Sequence, residues 1–330
     1  ILGNPPYLGA RRQSRSQKDD LVCAVSECPH LGSLDYVSAW FFKAADLVRT
    51  KGGSFAFVTT NSICQGEQVS KLWPYVVKSD LAISFAYSSF LWANHAKDKA
   101  AVACVIVGVE EVNTSKKRLF IGGRETEVKE ISYYLIPGRA DVFVSPRTNQ
   151  ISGLPQLRIG SMPICGGNLL FSKAEMEAFL RKEPKAKKFF RKWLGAREML
   201  QGSERYCLFL KNISDNEVKA LPAVQECLEA VYQARINSKR SATRKLAETP
   251  HLFNHETVAQ SGFLAIPEVS SERRNYVPIG TYSSDVLPSN RLNVLLDFAV
   301  MDYAVLTSSM HNSWIRRVSG RMKMDISYSV

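Results

Sequence analysis

Apolar positions follow two rhythms along the first third of the chain. Leu34, Val37, Phe41, Ala44 and Val48 recur at the spacing of one helical face, and Ser33 is placed to cap that helix. Gly52-Gly53 ends it. The run Ser-Phe-Ala-Phe-Val-Thr-Thr over residues 54–60 predicts a buried strand. Residues 65–77 predict a second helix, bent near Pro74, and residues 81–87 and 100–109 predict two more strands. Helices spaced between apolar strands predict an α/β sheet with helices on its faces. The loop over residues 88–99 is long enough to let the last two strands pair antiparallel.

Beyond residue 115 the character changes. Lys116, Lys117 and Arg118 open a more polar, mixed stretch with turns at Pro137-Gly138 and Gly166-Gly167. Ser172 with Glu175 forms a capping box for a helix reaching about Lys182. Pro222 starts a helix carrying Val224, Cys227, Leu228 and Val231, and short strand-like runs follow at residues 262–266 and 276–279. The boundary falls within residues 115–150, and the expected division is 1–125 and 126–330. There are no internal repeats and no low-complexity segment.

Composition narrows the function classes. The chain has 330 residues, 45% hydrophobic and 22% charged, which suits globular domains with a real core. Its formal net charge of +12 favours a polyanionic partner. No stretch approaches the roughly 20 apolar residues of a membrane span. Arg11, Arg12, Arg15 and Lys18 stand where a secretory leader would carry its apolar core. Nucleic acid in the cytoplasm is therefore the expected setting, with no membrane. The seven cysteines are scattered and odd in number, as reduced thiols are. Cys23, Cys28 and His30 lie close together, but no second ligand pair follows, so buried thiols are expected and no metal. The opening Ile1-Leu2-Gly3-Asn4 lacks an initiator Met and has the character of a strand end, so the chain is expected to be a fragment of a longer protein.

Asn4-Pro5-Pro6-Tyr7 follows that strand end and carries the chemistry. The exocyclic amine of adenine is a poor nucleophile because its lone pair is delocalised into the ring. An Asn side-chain oxygen and a Pro backbone carbonyl can accept its two hydrogens and localise that lone pair toward a methyl donor. Pro6 stiffens the loop and holds the preceding residue extended. Tyr7 can stack on a base turned out of the duplex, as base-modifying enzymes require. The competing interpretation of four residues alone is a plain proline turn.

The tetrapeptide resembles motif IV of the amino-methyltransferases, and its surroundings resemble one branch of them. Leu34-Asp35-Tyr36-Val37 through Ala44-Ala45-Asp46 resembles the helix after motif IV in the MmeI-like DNA methyltransferases of single-chain restriction–modification enzymes. Residues 57–69, Phe-Val-Thr-Thr-Asn-Ser-Ile-Cys-Gln-Gly-Glu-Gln-Val, resemble its motif V region, and Phe90-Leu91-Trp92-Ala93-Asn94 with Ala100-Ala101-Val102 resembles its motif VIII hairpin. Residues 202–207 and 267–274, His311-Asn312-Ser313-Trp314 and Gly320-Arg321-Met322-Lys323 resemble its target-recognition domain. The likeness spans essentially the whole chain. It implies a partial Rossmann-like methyltransferase sheet followed by a mixed α/β (α+β) target-recognition domain. It also implies S-adenosylmethionine as methyl donor in the intact protein, double-stranded DNA as partner, a monomer, and a nuclease on the same polypeptide. The family's Gly-rich cofactor loop precedes motif IV and is not in this sequence. No cofactor is therefore expected on this chain alone, and no activity from it alone.

Under this resemblance Asn4, Pro5, Pro6 and Tyr7 are the catalytic residues, and Trp92 or Phe90 stacks on the base opposite Tyr7. The alternative for both aromatics is a place in the core. Asn61 and Gln65 could line the adenine pocket or serve their own loop. Lys187, Lys188 and Arg191 belong to a basic run interleaved with Phe189, Phe190 and Trp193, and a second cluster holds Arg235, Lys239, Arg240, Arg244 and Lys245. Both are expected on helices, against phosphates. Arg273, Arg274, Arg316, Arg317, Arg321 and Lys323 are expected in turns suited to reading base edges, with Asn312 of the neighbouring polar–aromatic stretch also contacting DNA and with ion pairs from the arginines to acids such as Asp302 and Asp325 as the bland alternative. Two rival functions remain: a protein-glutamine methyltransferase, which has less need of a large basic domain, and a non-catalytic DNA-binding specificity module.

Overall fold

In the computed structural model, which describes residues 1–329 apart from 26, 93–101, 148, 150–152 and 154, the chain forms two compact units. One comprises residues 1–149 with 314–326, the other residues 150–313 with 327–330. Each is α/β in character.

The first unit is organised by a six-stranded sheet. Its strands are β1 (Leu2–Gly3), β2 (Ser54–Thr60), β3 (Leu81–Trp92), β4 (Val102–Glu111), β5 (Lys117–Ile121) and β6 (Arg124–Val128), in spatial order β1-β2-β4-β3-β5-β6. β1 and β2 are parallel, and β4 runs antiparallel to both β2 and β3. β1, β2 and β3 therefore point the same way and end at one edge of the sheet. The helices are α1 (Arg15–Ala24), α2 (Ser38–Lys51) and α3 (Gly66–Val77). Phe41 of α2 sits edge-on to Phe57 and to Trp73, with ring centroids 5.3 and 5.5 Å apart. The buried Trp73 indole donates to the Ile63 carbonyl at 2.8 Å, so burying this polar atom leaves nothing unpaired.

Local expectations and structure differ at the start of α2. Leu34 and Val37 are fully buried, as their spacing implied, but the helix begins only at Ser38. Ser33 belongs to a 3-10 turn, and its hydroxyl donates back to the His30 carbonyl instead of capping α2. The Asp35 carboxylate accepts from the Val37 amide at 3.2 Å, which holds the chain in a turn before the helix. Pro74 lies inside α3, which nevertheless continues to Val77.

The second unit holds two four-stranded sheets. Its strands are β7 (Arg158–Ile159), β8 (Leu170–Ser172), β9 (Phe190–Leu194), β10 (Arg205–Leu208), β11 (Gly262–Pro267), β12 (Val269–Ser270), β13 (Gly280–Ser283), β14 (Val286–Pro288) and β15 (Leu292–Leu296). One sheet has the order β14-β9-β10-β8 and the other β13-β11-β15-β7. The helices are α4 (Lys173–Lys182), α5 (Ala196–Gln201), α6 (Asp215–Lys219), α7 (Pro222–Ile236), α8 (Ser241–Lys245) and α9 (Val300–Thr307). The Ser172–Glu175 capping box of α4 is present as the sequence predicts. Residues 276–279 are not a strand. The backbone amide of Val277 is taken by the Asn312 side chain, and extended pairing starts at Gly280. The chain closes with α10 (Ser309–Val318) and the hairpin of β16 (Arg321–Met322) with β17 (Asp325–Ser327).

Among the described residues no three His, Cys, Asp or Glu side chains gather into a metal site. Cys28 is buried, with its Sγ 3.5 Å from the Lys71 carbonyl oxygen. No helix among them is long and apolar enough to cross a membrane.

Candidate active site and nucleic-acid interface

The Asn-Pro-Pro-Tyr loop leaves the end of β1 without regular structure. Pro5 is buried, while Asn4, Pro6 and Tyr7 are exposed. The Asn4 amide makes no hydrogen bond among the described residues, so its oxygen is open to an incoming donor. Burial, together with the nearby Cys104 thiol and Asp35 carboxylate, pushes the Tyr7 phenol above its ordinary value. Tyr7 is therefore neutral at physiological pH and offers an uncharged ring for stacking.

The strand ends bring further predicted residues to the same edge. Thr60 and Phe90 flank Cys104 in register across β2, β4 and β3. Phe90 and Trp92 share a face of β3, with ring centroids 6.3 Å apart. Neither is a core residue: Phe90 is half-buried and Trp92 is 48% exposed. Ala93, Asn94, Ala100 and Ala101 of the hairpin resemblance lie outside the described residues. Asn61 is buried at the start of the 3-10 turn after β2, and Gln65, half-buried, follows that turn.

Gly66 opens α3 at φ +52°, and a Cβ there would meet the backbone of Gly320 at 3.2 Å. The turn before β16 thus rests directly on the segment that follows β2. Gly66→Ala is expected to cost about 1–2 kcal/mol, the penalty of a left-handed L-residue, before any strain from the Gly320 contact. A thermal melt reads this directly, and an unchanged midpoint would show that both segments yield freely.

The basic residues separate into distinct groups. Lys187 and Lys188 lie in a 3-10 segment over Pro184–Phe189, and Arg191 lies in β9, so the expected helix is absent. The buried Ala186 and Phe189 are three apart, which is the 3-10 period. Lys187, Lys188, Arg191 and Lys192 line an open groove of about 670 Å³ together with Phe190 and Tyr206. Lys188 pairs with Glu217 and lies over the Phe189 ring at 5.0 Å, while Arg191 lies over Phe209 at 5.3 Å.

Arg235 corrects the second cluster. It is only 1% exposed, so it is no surface contact. Its guanidinium donates to the carbonyls of Pro163, Ile164, Leu246, Thr249 and Leu252 at 2.7–2.9 Å. All five of its N–H donors are used. The sequence did carry a signal, because Arg235 continues the buried stripe of Val224, Leu228 and Val231 along α7.

Arg273 and Arg274 are exposed in a turn, as expected. Asn312 is buried beneath that turn. Its Nδ2 donates to the Asn275 carbonyl at 2.6 Å, and its Oδ1 accepts from Val277 at 3.2 Å. Arg316 and Arg317 lie in α10 and not in a turn. Arg321 donates to the carbonyls of Met324 and Arg316, which ties the hairpin turn to the end of α10. Lys323 is exposed in the hairpin turn, at φ +60°.

Comparison with known proteins bears on both units. Residues 1–121 match the family description "MmeI, DNA-methyltransferase domain", and residues 138–330 match "MmeI, target recognition domain". The chain is 41% identical over 332 residues to DNA methyltransferase A of Bacillus subtilis (strain 168), covering 100% of this chain and 37% of that protein. It superposes with a TM-score of 0.93 and 37% identity on a solved structure of the Type IIL restriction-modification enzyme MmeI in complex with DNA. That match covers 100% of this chain and 45% of the MmeI chain. The chain thus spans less than half the length of these relatives. With both family descriptions matched in succession, the chain belongs to the MmeI family, carrying DNA-methyltransferase sequence followed by a target recognition domain.

Proposed function

We propose that this chain is part of a site-specific DNA methyltransferase that moves a methyl group from S-adenosylmethionine to adenine N6 in duplex DNA. The observation carrying this reading is the exposed, unengaged Asn4 amide beside Tyr7, at the sheet edge where Phe90 and Trp92 also end. When bound, S-adenosylmethionine supplies an electrophilic methyl group on a sulfonium. Asn4 Oδ1 and the Pro5 carbonyl accept the two amine hydrogens of the flipped adenine, and Pro6 keeps the loop extended. Tyr7 stacks on one face of the base, and Trp92 or Phe90 closes on the other. The residues of this chain meet the base, and none of them is assigned to hold the donor. The similarity to a Type IIL restriction-modification enzyme supports a restriction–modification role, and we extend it to a monomer with a nuclease on the same polypeptide, acting on cytoplasmic DNA. A purely DNA-binding role has no need of an open Asn4, and a protein-glutamine substrate has no need of the basic groove.

DNA contacts divide by surroundings. Lys187, Lys188 and Arg191 line a groove suited to the phosphate backbone, and displacement of Glu217 frees Lys188 for it. Arg273, Arg274, Arg316, Arg317 and Lys323 are the residues proposed to read base edges. Asn312 holds the segment after Arg273 and Arg274, and Arg321 ties the hairpin turn that carries Lys323 to the end of α10, where Arg316 and Arg317 lie. Full-length protein given labelled S-adenosylmethionine and a randomised duplex library should place label at one short sequence. Label spread over unrelated sequences would contradict site specificity. Arg316→Ala or Arg317→Ala should relax preference at a single base position by about 1–3 kcal/mol. Arg321→Ala should blur several positions, because it releases the hairpin turn. If Arg316→Ala and Arg317→Ala both keep the wild-type preference everywhere, base reading passes to Arg273 and Arg274.

A further inference from the structure

The Asn-Pro-Pro-Tyr loop is held weakly at its front. β1 has only two residues, Leu2 and Gly3, both exposed and paired to Ala56 and Phe57. The loop's far end, Leu8, is held at both its amide and its carbonyl. Its amide donates to Asp35 Oδ1 at 2.9 Å, and its carbonyl accepts from the Tyr36 amide at 3.0 Å and from Gln13 Nε2 at 2.8 Å. Asp35 is 7% exposed, and among the described residues no lysine or arginine pairs with it. The same oxygen accepts from the Val37 amide, while the Asp35 amide donates to Gln68 Oε1 of α3 at 3.1 Å. Gln68 Nε2 donates in turn to the Ser33 carbonyl at 2.7 Å. Asp35 therefore joins the loop, the turn before α2 and the first part of α3.

Burying a carboxylate without a cation is costly unless hydrogen bonds compensate it. Here the compensating donors are backbone amides, and one belongs to the residue directly after Tyr7. We infer that Asp35 is a positioning residue for methyl transfer. By fixing the Leu8 peptide, it sets where Asn4 and Tyr7 meet the adenine, an inference that rests on the proposed function. Gln13 supports the Leu8 carbonyl on the following peptide and donates to the Leu34 carbonyl at 3.0 Å. Misplacing reacting groups by about 1 Å can cost on the order of a hundredfold in rate, while binding that depends on phosphates is left intact.

The test uses full-length protein, with rates normalised to the fraction that binds duplex DNA. Asp35→Ala should lower kcat by at least about tenfold and leave KM for DNA within about threefold, the pattern of an interaction that orients rather than binds. Asp35→Asn keeps an oxygen acceptor for Leu8 and should return to within about threefold of wild type. Gln13→Ala, a milder change, should lower kcat in the same direction with KM unchanged, and it decides the matter if Asp35→Ala does not fold. Wild-type kcat in Asp35→Ala overturns the inference, as does wild-type kcat in Gln13→Ala should Asp35→Ala not fold. An Asp35→Asn protein as slow as Asp35→Ala also overturns it, since charge and not the Leu8 bond would then matter. Asn4→Ala runs alongside: if it is inactive while Asp35→Ala is normal, only this inference fails. If Asn4→Ala is itself active, the proposed chemistry fails.

Discussion

Full-length protein carrying Asn4→Ala is expected to lose about 10²–10³-fold in kcat, the scale set by removing one preorganised hydrogen-bonding group from an active site. DNA affinity should stay within about twofold, because phosphate contacts supply most of the binding. The asymmetry follows from the site. Asn4 is exposed, makes no hydrogen bond among the described residues, and has only the amine to orient. Its removal leaves no buried group unpaired and costs little stability. Filter binding and single-turnover methyl transfer on the same preparation separate the two effects. A variant with near-normal turnover would mean that the tetrapeptide is only a proline turn.

Arg235→Met is expected to have the largest effect on stability. The side chain is buried, and five carbonyls of two separate segments converge on its guanidinium. Removing it strands those carbonyls, and breaking a buried charged network costs about 3–5 kcal/mol. That is a large share of a domain's usual margin of about 5–15 kcal/mol. Arg235→Lys should rescue little, because an ammonium has three donors and no planar fork. Burial also pushes the Arg235 guanidinium below its ordinary value, yet it keeps its charge at any working pH. Urea unfolding of the chain reads the loss. A midpoint shift worth less than about 1 kcal/mol would show that the carbonyls find water instead.

These two residues mark what was legible in the sequence and what was not. Asn4 stands out because its proposed chemistry is local: a tetrapeptide after a strand end is enough to suggest it, without partners from elsewhere in the chain. Strand β2 over Ser54–Thr60, the antiparallel β3–β4 pair and the Ser172 cap were likewise visible, since each rests on neighbours in sequence. Arg235 looked like one more cation in a basic run. Its position on the apolar stripe of α7 was the contrary signal, but its partners lie up to 72 residues away. Asp35 was hidden for the same reason, since a buried acid inside Leu34-Asp35-Tyr36-Val37 declares itself only when Leu8 is brought against it. The start of α2 was misplaced because Leu34 and Val37 are core residues without being helical. The helix expected over Lys187 to Lys192 gave way to a 3-10 turn and a strand, because Pro184, Ala186, Phe189 and Trp193 set the backbone and the lysines only decorate it. Arg316 and Arg317 were placed in turns because charge near Gly320 outweighed the helical spacing of Asn312 and Ile315, both buried on α10.

The central claim is that Asn4 and its loop direct a methyl group to adenine N6 within a recognised duplex. Mass spectrometry of nucleosides from DNA treated with full-length protein and S-adenosylmethionine tests it most directly. The expected product is N6-methyladenine, absent when Asn4→Ala replaces the wild type. Methylated cytosine as the product, or N6-methyladenine persisting at wild-type levels in Asn4→Ala, would contradict it.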